Sequence, residues 1–306
     1  MELNDDANID TSQVEDLRGS SGGGGFGGGG LGGIPIPTGR GGWIGLAITV
    51  LVVLLGGGLG VNKLTDGGSG ADNTALQTKC QTAGKLSNLD CRNTLYVNSI
   101  QKYWVTALPQ AFGKPYQPAN TRLFSQAVQT GCGSADSGVG PFYCPADHRV
   151  YIDLTFYQVL ADQLGAPGEF AQPYVLAHEY GHHVQSLLGT EAQMRRAQQR
   201  DPGNANKYSV MLELQADCYA GSWARHATET TDSGGKAIFK SLTRADIQQG
   251  IDTAGQIGDD TIQRKTQGRI NESAFTHGTS AQRQQWFRTG FDSGDPTRCD
   301  TFGGAL

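Results

Sequence analysis

Residues 172–188 read QPYVLAHEYGHHVQSLL, and this stretch decides the fold because it predicts one buried helix at the centre of the molecule. On a helix, His178 and His182 are four residues apart and therefore lie on one face. Two imidazoles on one face can bind a single metal ion, and Glu179 then stands beside the position of a metal-bound water. The alternative is a histidine pair that is exposed, or buried with ordinary hydrogen-bond partners.

A catalytic zinc site needs a third protein ligand, and residues 211–223, MLELQADCYAGSW, offer one. Glu213 and Asp217 are four residues apart on a second predicted helix, which is too apolar for a solvated face. The pattern is similar to that of gluzincins, in which the first carboxylate binds zinc and the second accepts the N–H of a ligand histidine. A metzincin would carry glycine and histidine where Gln185 and Leu188 stand, so that class is excluded.

The residues around these two helices predict an α+β domain that is mostly helical, with a small sheet before the central helix. A helix over 90–107 should end at Pro109, and alternation of apolar and polar residues predicts strands over 122–128 and 149–154. The strand RVYIDL at 149–154 is a candidate edge for an extended peptide. Further helices are predicted over 155–164, 172–188, 191–200, 205–227, 243–266 and 279–291.

The first part of the chain differs in composition from this domain. Residues 1–42 are acidic and then glycine-rich, with 14 glycines between 19 and 42, which predicts a disordered tail. Residues 43–61, WIGLAITVLVVLLGGGLGV, carry no charge and predict a single transmembrane helix, long enough at about 1.5 Å per residue to span a bilayer. A linker over 62–74 then leads into a zinc metallopeptidase-like domain over 75–306.

Charge and cysteine content limit the partners and the compartment. Residues 1–74 hold 8 acidic and 3 basic side chains out of 29 and 24 in the chain, so the remainder is neutral and has no basic run for nucleic acid. All six cysteines follow residue 61, which favours three disulfides and a domain outside the cytoplasm. Short separations suggest the pairs Cys80–Cys91 and Cys132–Cys144, leaving Cys218 with Cys299; reduced, buried thiols are the alternative.

Several motifs together resemble the neutral zinc metallopeptidase family of bacterial membrane-anchored proteins. They are LAHEYGHHVQ at 176–185, ELQADCYAG at 213–221, IGDD at 257–260 and the stretch from Phe275 to Phe302. The resemblance implies a gluzincin-type peptidase with one Zn²⁺ per chain, a protein or peptide substrate and a place in the bacterial cell envelope. It also implies that His178, His182 and Glu213 are zinc ligands, that Glu179 is the catalytic base and that Asp217 supports a ligand histidine.

A peptidase also needs a donor for the oxyanion that develops on the carbonyl. His277, in Thr276–His277–Gly278, is the candidate, and Tyr180 and Arg283 are competitors. The other histidines have no partner at ligand spacing, so structural roles are expected for them: His148, His183 and His226.

Three other classes of function compete with the peptidase. A metal-binding scaffold that binds a partner protein of the envelope would not need the glutamate base, which is present here as Glu179. A thiol enzyme using Cys144 or Cys218 fits poorly with six cysteines available for disulfides. A phosphate-binding loop at 22–30 lacks the lysine and the flanking strand that such loops have. The sequence therefore predicts a membrane-anchored zinc peptidase.

Overall fold

The computed structural model describes residues 1–18 and 73–303. The predicted α+β class is confirmed, with most of the described residues in helices. The helices are α1 (Thr74–Cys80), α2 (Leu89–Phe112), α3 (Phe156–Asp162), α4 (Ala171–Leu188), α5 (Thr190–Arg200), α6 (Ala205–His226), α7 (Arg244–Gln256), α8 (Asp259–Gln267) and α9 (Ser280–Ser293). The strands are β1 (Glu2–Leu3), β2 (Val14–Asp16), β3 (Asn120–Leu123), β4 (Ala127–Thr130), β5 (Gly133–Asp136), β6 (Phe142–Cys144), β7 (Arg149–Ile152) and β8 (Phe239–Ser241).

The main sheet has four strands in the order β2-β3-β7-β6 and precedes α4 in the chain, as predicted. The first three strands are parallel, and β6 pairs antiparallel with β7, with Tyr143 opposite Val150. Strands β4 and β5 form an antiparallel hairpin, and β1 pairs with β8. The strand predicted as a possible edge, β7, is therefore internal, because β3 and β6 cover its two sides, and β6 is the edge strand beside it.

Helices α4, α6 and α9 form the centre of the domain, and small residues let them approach closely. A Cβ at Gly181 on α4 would lie 3.0 Å from the Cα of Ala216 on α6. Between α6 and α9 the approach is closer still, since a Cβ at Gly290 would lie 1.8 Å from the carbonyl oxygen of Cys218. These contacts fix the distance of α6 from both of its neighbours.

The first 18 residues are part of this domain, so the prediction of a disordered tail over 1–42 is wrong for them. Strand β2 adds to the edge of β3, and Ala7 and Val14 are fully buried. The amino group of Met1 forms an ion pair of 2.5 Å with Asp246. Apolar content is low in this segment, and its order comes from strand pairing and polar contacts with distant residues, which composition does not reveal.

Three predicted elements differ from the structure in their limits. Helix α2 continues past Pro109 to Phe112 and is capped by Gly113. The proline removes the helical hydrogen bond to the carbonyl of Val105, a residue that is 50% exposed, without ending the helix. The strand expected over 122–128 is divided between β3 and β4 around Gln126, which has φ 67°. The helix expected over 243–266 breaks at Gly258, where a Cβ would lie 2.4 Å from the backbone nitrogen of Ser280.

The predicted disulfide pairs are confirmed: Cys80–Cys91, Cys132–Cys144 and Cys218–Cys299. The transmembrane helix predicted over 43–61 lies outside the described residues. Within residues 1–18 and 73–303, each helix is too short or too polar to cross a membrane.

Candidate metal centre

Helices α4 and α6 bring His178, His182 and Glu213 together. The Nε2 atom of His178 lies 3.1 Å from one carboxylate oxygen of Glu213, and Nε2 of His182 lies 3.4 Å from the other. All three ligand atoms lie within 4.8 Å of one another. In a tetrahedral zinc site with ligands at about 2.0–2.1 Å, neighbouring ligand atoms are about 3.3 Å apart, so the spacing suits zinc.

The Nδ1 atom of each histidine is held by an acceptor, which fixes its tautomer. Asp217 accepts from Nδ1 of His178 at 2.8 Å, and the Gln185 side-chain oxygen accepts from Nδ1 of His182 at 2.9 Å. When a metal ion takes the place of the second ring proton, each ring would direct its Nε2 lone pair to a point beside the Glu213 carboxylate. Lone pairs and a carboxylate that converge in this way suit a cation between them, so the residues fit a divalent metal ion.

Electrostatics support the same conclusion. Burial opposes a charge on His178, but the carboxylates of Asp217 and Glu213 raise its pKa to about 10. The ring therefore lies in a strongly negative environment, which a divalent cation would neutralise.

Arg283, on α9, lies behind Asp217 and is 2 % exposed. Its Nε donates to Asp217 at 2.8 Å and its Nη2 donates to the same carboxylate at 3.0 Å. Tyr174 donates to Asp217 as well, at 2.6 Å, and Nη1 of the arginine donates to the carbonyl of Ile257 at 3.1 Å. Although burial opposes ionisation, Arg283 and His178 lower the pKa of Asp217 to about 2. Asp217 is therefore a fixed, charged acceptor for the ligand histidine.

Gln185 is a residue of the site that the sequence did not predict as one, because its position there served only to exclude a metzincin. It is fully buried, and its side-chain nitrogen donates to the Leu212 carbonyl at 2.7 Å and to Gln215 at 3.1 Å. A signal was present, because Gln185 stands three residues after His182 and shares its side of the helix.

Glu179 lies at the junction of two cavities, both of which are also lined by His182 and Glu213. The residue is 7 % exposed, and burial raises the pKa of its carboxyl. One of these cavities is also lined by Tyr143, on edge strand β6. A buried carboxylate with a raised pKa beside the metal ligands is suited to proton transfer.

His277 lines the larger of the two cavities together with His178, His182 and Glu213. Its Nδ1 lies 3.2 Å from Asp259, the first residue of α8. The same carboxylate accepts the backbone amides of Thr276 and His277 at 2.7 Å and that of Gly278 at 3.0 Å. Because a new helix begins at Asp259, its carboxylate can hold the loop that carries His277. The prediction of one continuous helix over 243–266 did not include this contact.

The competitors for the oxyanion role have other partners. The hydroxyl of Tyr180 lies 3.0 Å from both the Ala119 carbonyl and the Thr121 hydroxyl. Arg283 is committed to Asp217, as described above. Among the remaining histidines, His183 is buried between Tyr143 and the Gln117 carbonyl, and burial lowers its pKa to about 4. His148 and His226 are likewise outside the ligand set, bonded to Tyr143 and to Glu229.

Comparison with known proteins agrees with this geometry. The family model described as "Putative neutral zinc metallopeptidase" matches residues 5–302. The chain is 41% identical over 300 residues to the uncharacterized protein YpfJ of Escherichia coli K12, covering 97% of this chain and 98% of that one. It is 47% identical over 231 residues to the uncharacterized protein Rv2575 of Mycobacterium tuberculosis, covering 74% of this chain and 76% of that one. No solved structure matches. The match over almost the whole chain, together with the two histidines and the glutamate at its centre, establishes that this protein belongs to that metallopeptidase family.

Proposed function

We propose that this protein is a zinc-dependent endopeptidase. The observation that carries the proposal is the convergence of two Nδ1-anchored histidines on Glu213, with the buried carboxylate of Glu179 beside them. The cavities extend to both sides of this centre, which suits a peptide bond within a chain.

His178, His182 and Glu213 would hold the zinc, which when bound would supply a Lewis acid for the peptide carbonyl and would lower the pKa of water toward about 7. Glu179 acts as the general base, accepting the proton of the attacking water and later delivering it to the leaving amine. His277 donates its Nε2–H to the carbonyl oxygen as negative charge develops there, a role that requires both ring nitrogens to carry protons, since Nδ1–H donates to Asp259.

The domain is proposed to lie outside the cytoplasm, attached to the cell membrane through residues 43–61. Three disulfides support an oxidising compartment. The uncharged stretch of 19 residues supports the attachment.

The test compares the zinc-loaded full chain, purified in detergent, with Glu179→Gln. Both proteins should bind one zinc, since the substitution spares the ligands, and only the parent should cleave casein. The full chain is required because residues 1–18 are part of the fold. Glu272→Gln, a matched change at an exposed glutamate, should leave cleavage intact.

His277→Asn in the same assay should lower kcat by roughly 10²–10³-fold without loss of zinc. One zinc per chain with no cleavage by the parent of any protein would instead favour a metal-binding scaffold. Equal cleavage by the parent and Glu179→Gln would exclude Glu179 as the base.

A further inference from the structure

We propose that the peptides cleaved by this protein carry a large apolar side chain directly after the scissile bond and a small side chain directly before it. The inference rests on the proposed peptidase function and adds a substrate class to it. Two cavities at the metal centre carry it. They differ in size and in lining residues, and successive parts of the chain around β6 line one and then the other.

The two cavities differ several-fold in volume. Both reach Val139, Glu179, His182 and Glu213, so they meet where the scissile bond would lie. One cavity measures about 420 Å³ and the other about 50 Å³. A single water needs about 10–15 Å³ on this measure, so the smaller space has room for only a few waters or a side chain of similar size. The larger one can hold an aromatic or long aliphatic side chain.

The walls of the larger cavity are mainly apolar. Phe156 and Val159 contribute from α3, Val175 from α4 and Ile262 from α8. Besides the groups of the metal centre, its charged lining residues are Arg283 and Lys265.

Both cations already have partners. Arg283 is paired with Asp217, and the ammonium of Lys265 donates to the Leu164 carbonyl at 2.6 Å and to the side-chain oxygen of Gln256 at 2.7 Å. An acidic side chain entering the cavity would therefore lose water with only the exposed Lys265 as a counter-ion, whereas an apolar one gains by burial.

The direction of the bound peptide follows from edge strand β6. Its outer side faces the centre, because β7 covers its other side and Tyr143 lines the smaller cavity together with Glu179 and His182. Residues 137–141, before the strand, line the larger cavity, and Phe142, Tyr143 and Pro145 line the smaller one. A peptide that adds antiparallel to β6, the commoner strand pairing, passes Pro145 first and residues 137–141 afterwards. The residue after the cleaved bond thus meets the larger cavity.

The experiment uses the zinc-loaded full chain and three twelve-residue peptides that differ only at the central pair, Ala-Phe, Phe-Ala and Ala-Asp. We expect cleavage between Ala and Phe, with kcat/KM at least about tenfold above that for the other two peptides at their central bonds. Preferential cleavage between Phe and Ala would overturn the assigned direction, and equal rates for Ala-Phe and Ala-Asp would overturn the apolar cavity.

Substitution of the cavity wall gives an independent check. Val159 is partly exposed and lines only the larger cavity, so Val159→Lys should raise cleavage of the Ala-Asp peptide relative to Ala-Phe by about tenfold. Val105→Lys, at a residue of α2 that is 50% exposed, is the matched control and should keep the parent's preference.

Measurement of peptide binding distinguishes a failure of the cavity assignment from a failure of the peptidase proposal. The affinity of zinc-loaded Glu179→Gln for the same three peptides, labelled with a fluorophore, is measured by fluorescence anisotropy. If the parent cleaves nothing but this variant still prefers the Ala-Phe peptide, the peptidase proposal fails and the cavity assignment stands. If the variant binds all three peptides alike or none of them, the cavity assignment fails as well.

Discussion

The Asp217 carboxylate has two functions. It orients the ligand His178, and it neutralises the buried Arg283. Removal of an acceptor behind a metal-bound histidine typically weakens metal binding by roughly 10–100-fold. Removal of one partner from a buried ion pair typically costs about 3–5 kcal/mol of unfolding free energy, because the other charge stays buried. The two effects should therefore appear together in Asp217→Asn.

We expect Asp217→Asn to lower zinc affinity and the unfolding free energy by these amounts, measured by chelator competition and urea unfolding. Adding Arg283→Met removes the uncompensated cation and should restore much of the stability but not the zinc affinity. Asp162→Asn, at an exposed residue of α3, is the control. Unchanged zinc affinity in Asp217→Asn would contradict the orienting role.

At the scale of elements, the close contact of α6 with α9 brings Arg283 to the centre. Gly290→Ala would place a methyl group 1.8 Å from the Cys218 carbonyl oxygen, so the helices must separate. Overpacking of this kind costs about 1–3 kcal/mol, occasionally more. We expect a lower urea midpoint and weaker zinc binding in Gly290→Ala. Gly203→Ala, where a Cβ meets nothing within 4 Å, should change neither, and a stable Gly290→Ala would argue against this packing.

The docking of residues 1–18 should depend on pH through three carboxyl groups. Burial opposes their ionisation, but hydrogen bonds and nearby positive charges between the segment and the rest of the domain outweigh it and lower the pKa of Glu15, Asp232 and Asp246. A lowered pKa in the docked state means that protonation favours release. The stabilisation is complete above the ordinary carboxyl pKa of about 4 and is lost as the pH falls through the lowered values.

Hydrogen exchange, corrected for intrinsic rates, should therefore show that the amides of residues 14–16 are protected at pH 7 and lose this protection near pH 3. The amides of α6 should lose protection only at a lower pH. Equal protection of residues 14–16 at both pH values would contradict the prediction.

For the whole molecule, the contacts of the first 18 residues restrict membrane topology. Asn73 donates to the Val14 carbonyl at 2.7 Å and accepts from the Asp16 amide at 3.0 Å, so residues 1–18 and 73–303 must be in one compartment whenever they are docked in this way. A single crossing by residues 43–61, as the sequence predicts, would separate them. Docking and a single crossing therefore exclude each other in one molecule.

A thiol-labelling experiment decides between the two arrangements. All six native cysteines are in disulfides, so Asp5→Cys or Ser233→Cys, both exposed, adds the only free thiol. A membrane-impermeant maleimide should label both variants in intact cells of a single-membrane host to the same extent. Labelling of Ser233→Cys alone would mean that residues 1–18 lie on the opposite side and are not docked.

The features that the sequence by itself determined are local. His178 and His182, and Glu213 and Asp217, are pairs four residues apart, and a helix brings such pairs to one face whatever surrounds it. The short separations within Cys80–Cys91 and Cys132–Cys144 likewise made those pairings predictable, and helical periodicity located most of the helices.

Only the tertiary structure decided which distant residues support the centre. Arg283 meets Asp217 across 66 positions of sequence, and β2 pairs with β3 across more than 100. Such contacts depend on how helices and strands pack, and they leave no periodic pattern in the chain. For the same reason composition made residues 1–18 look disordered, and the order of the strands, which makes β6 the edge, emerged only from the folded sheet.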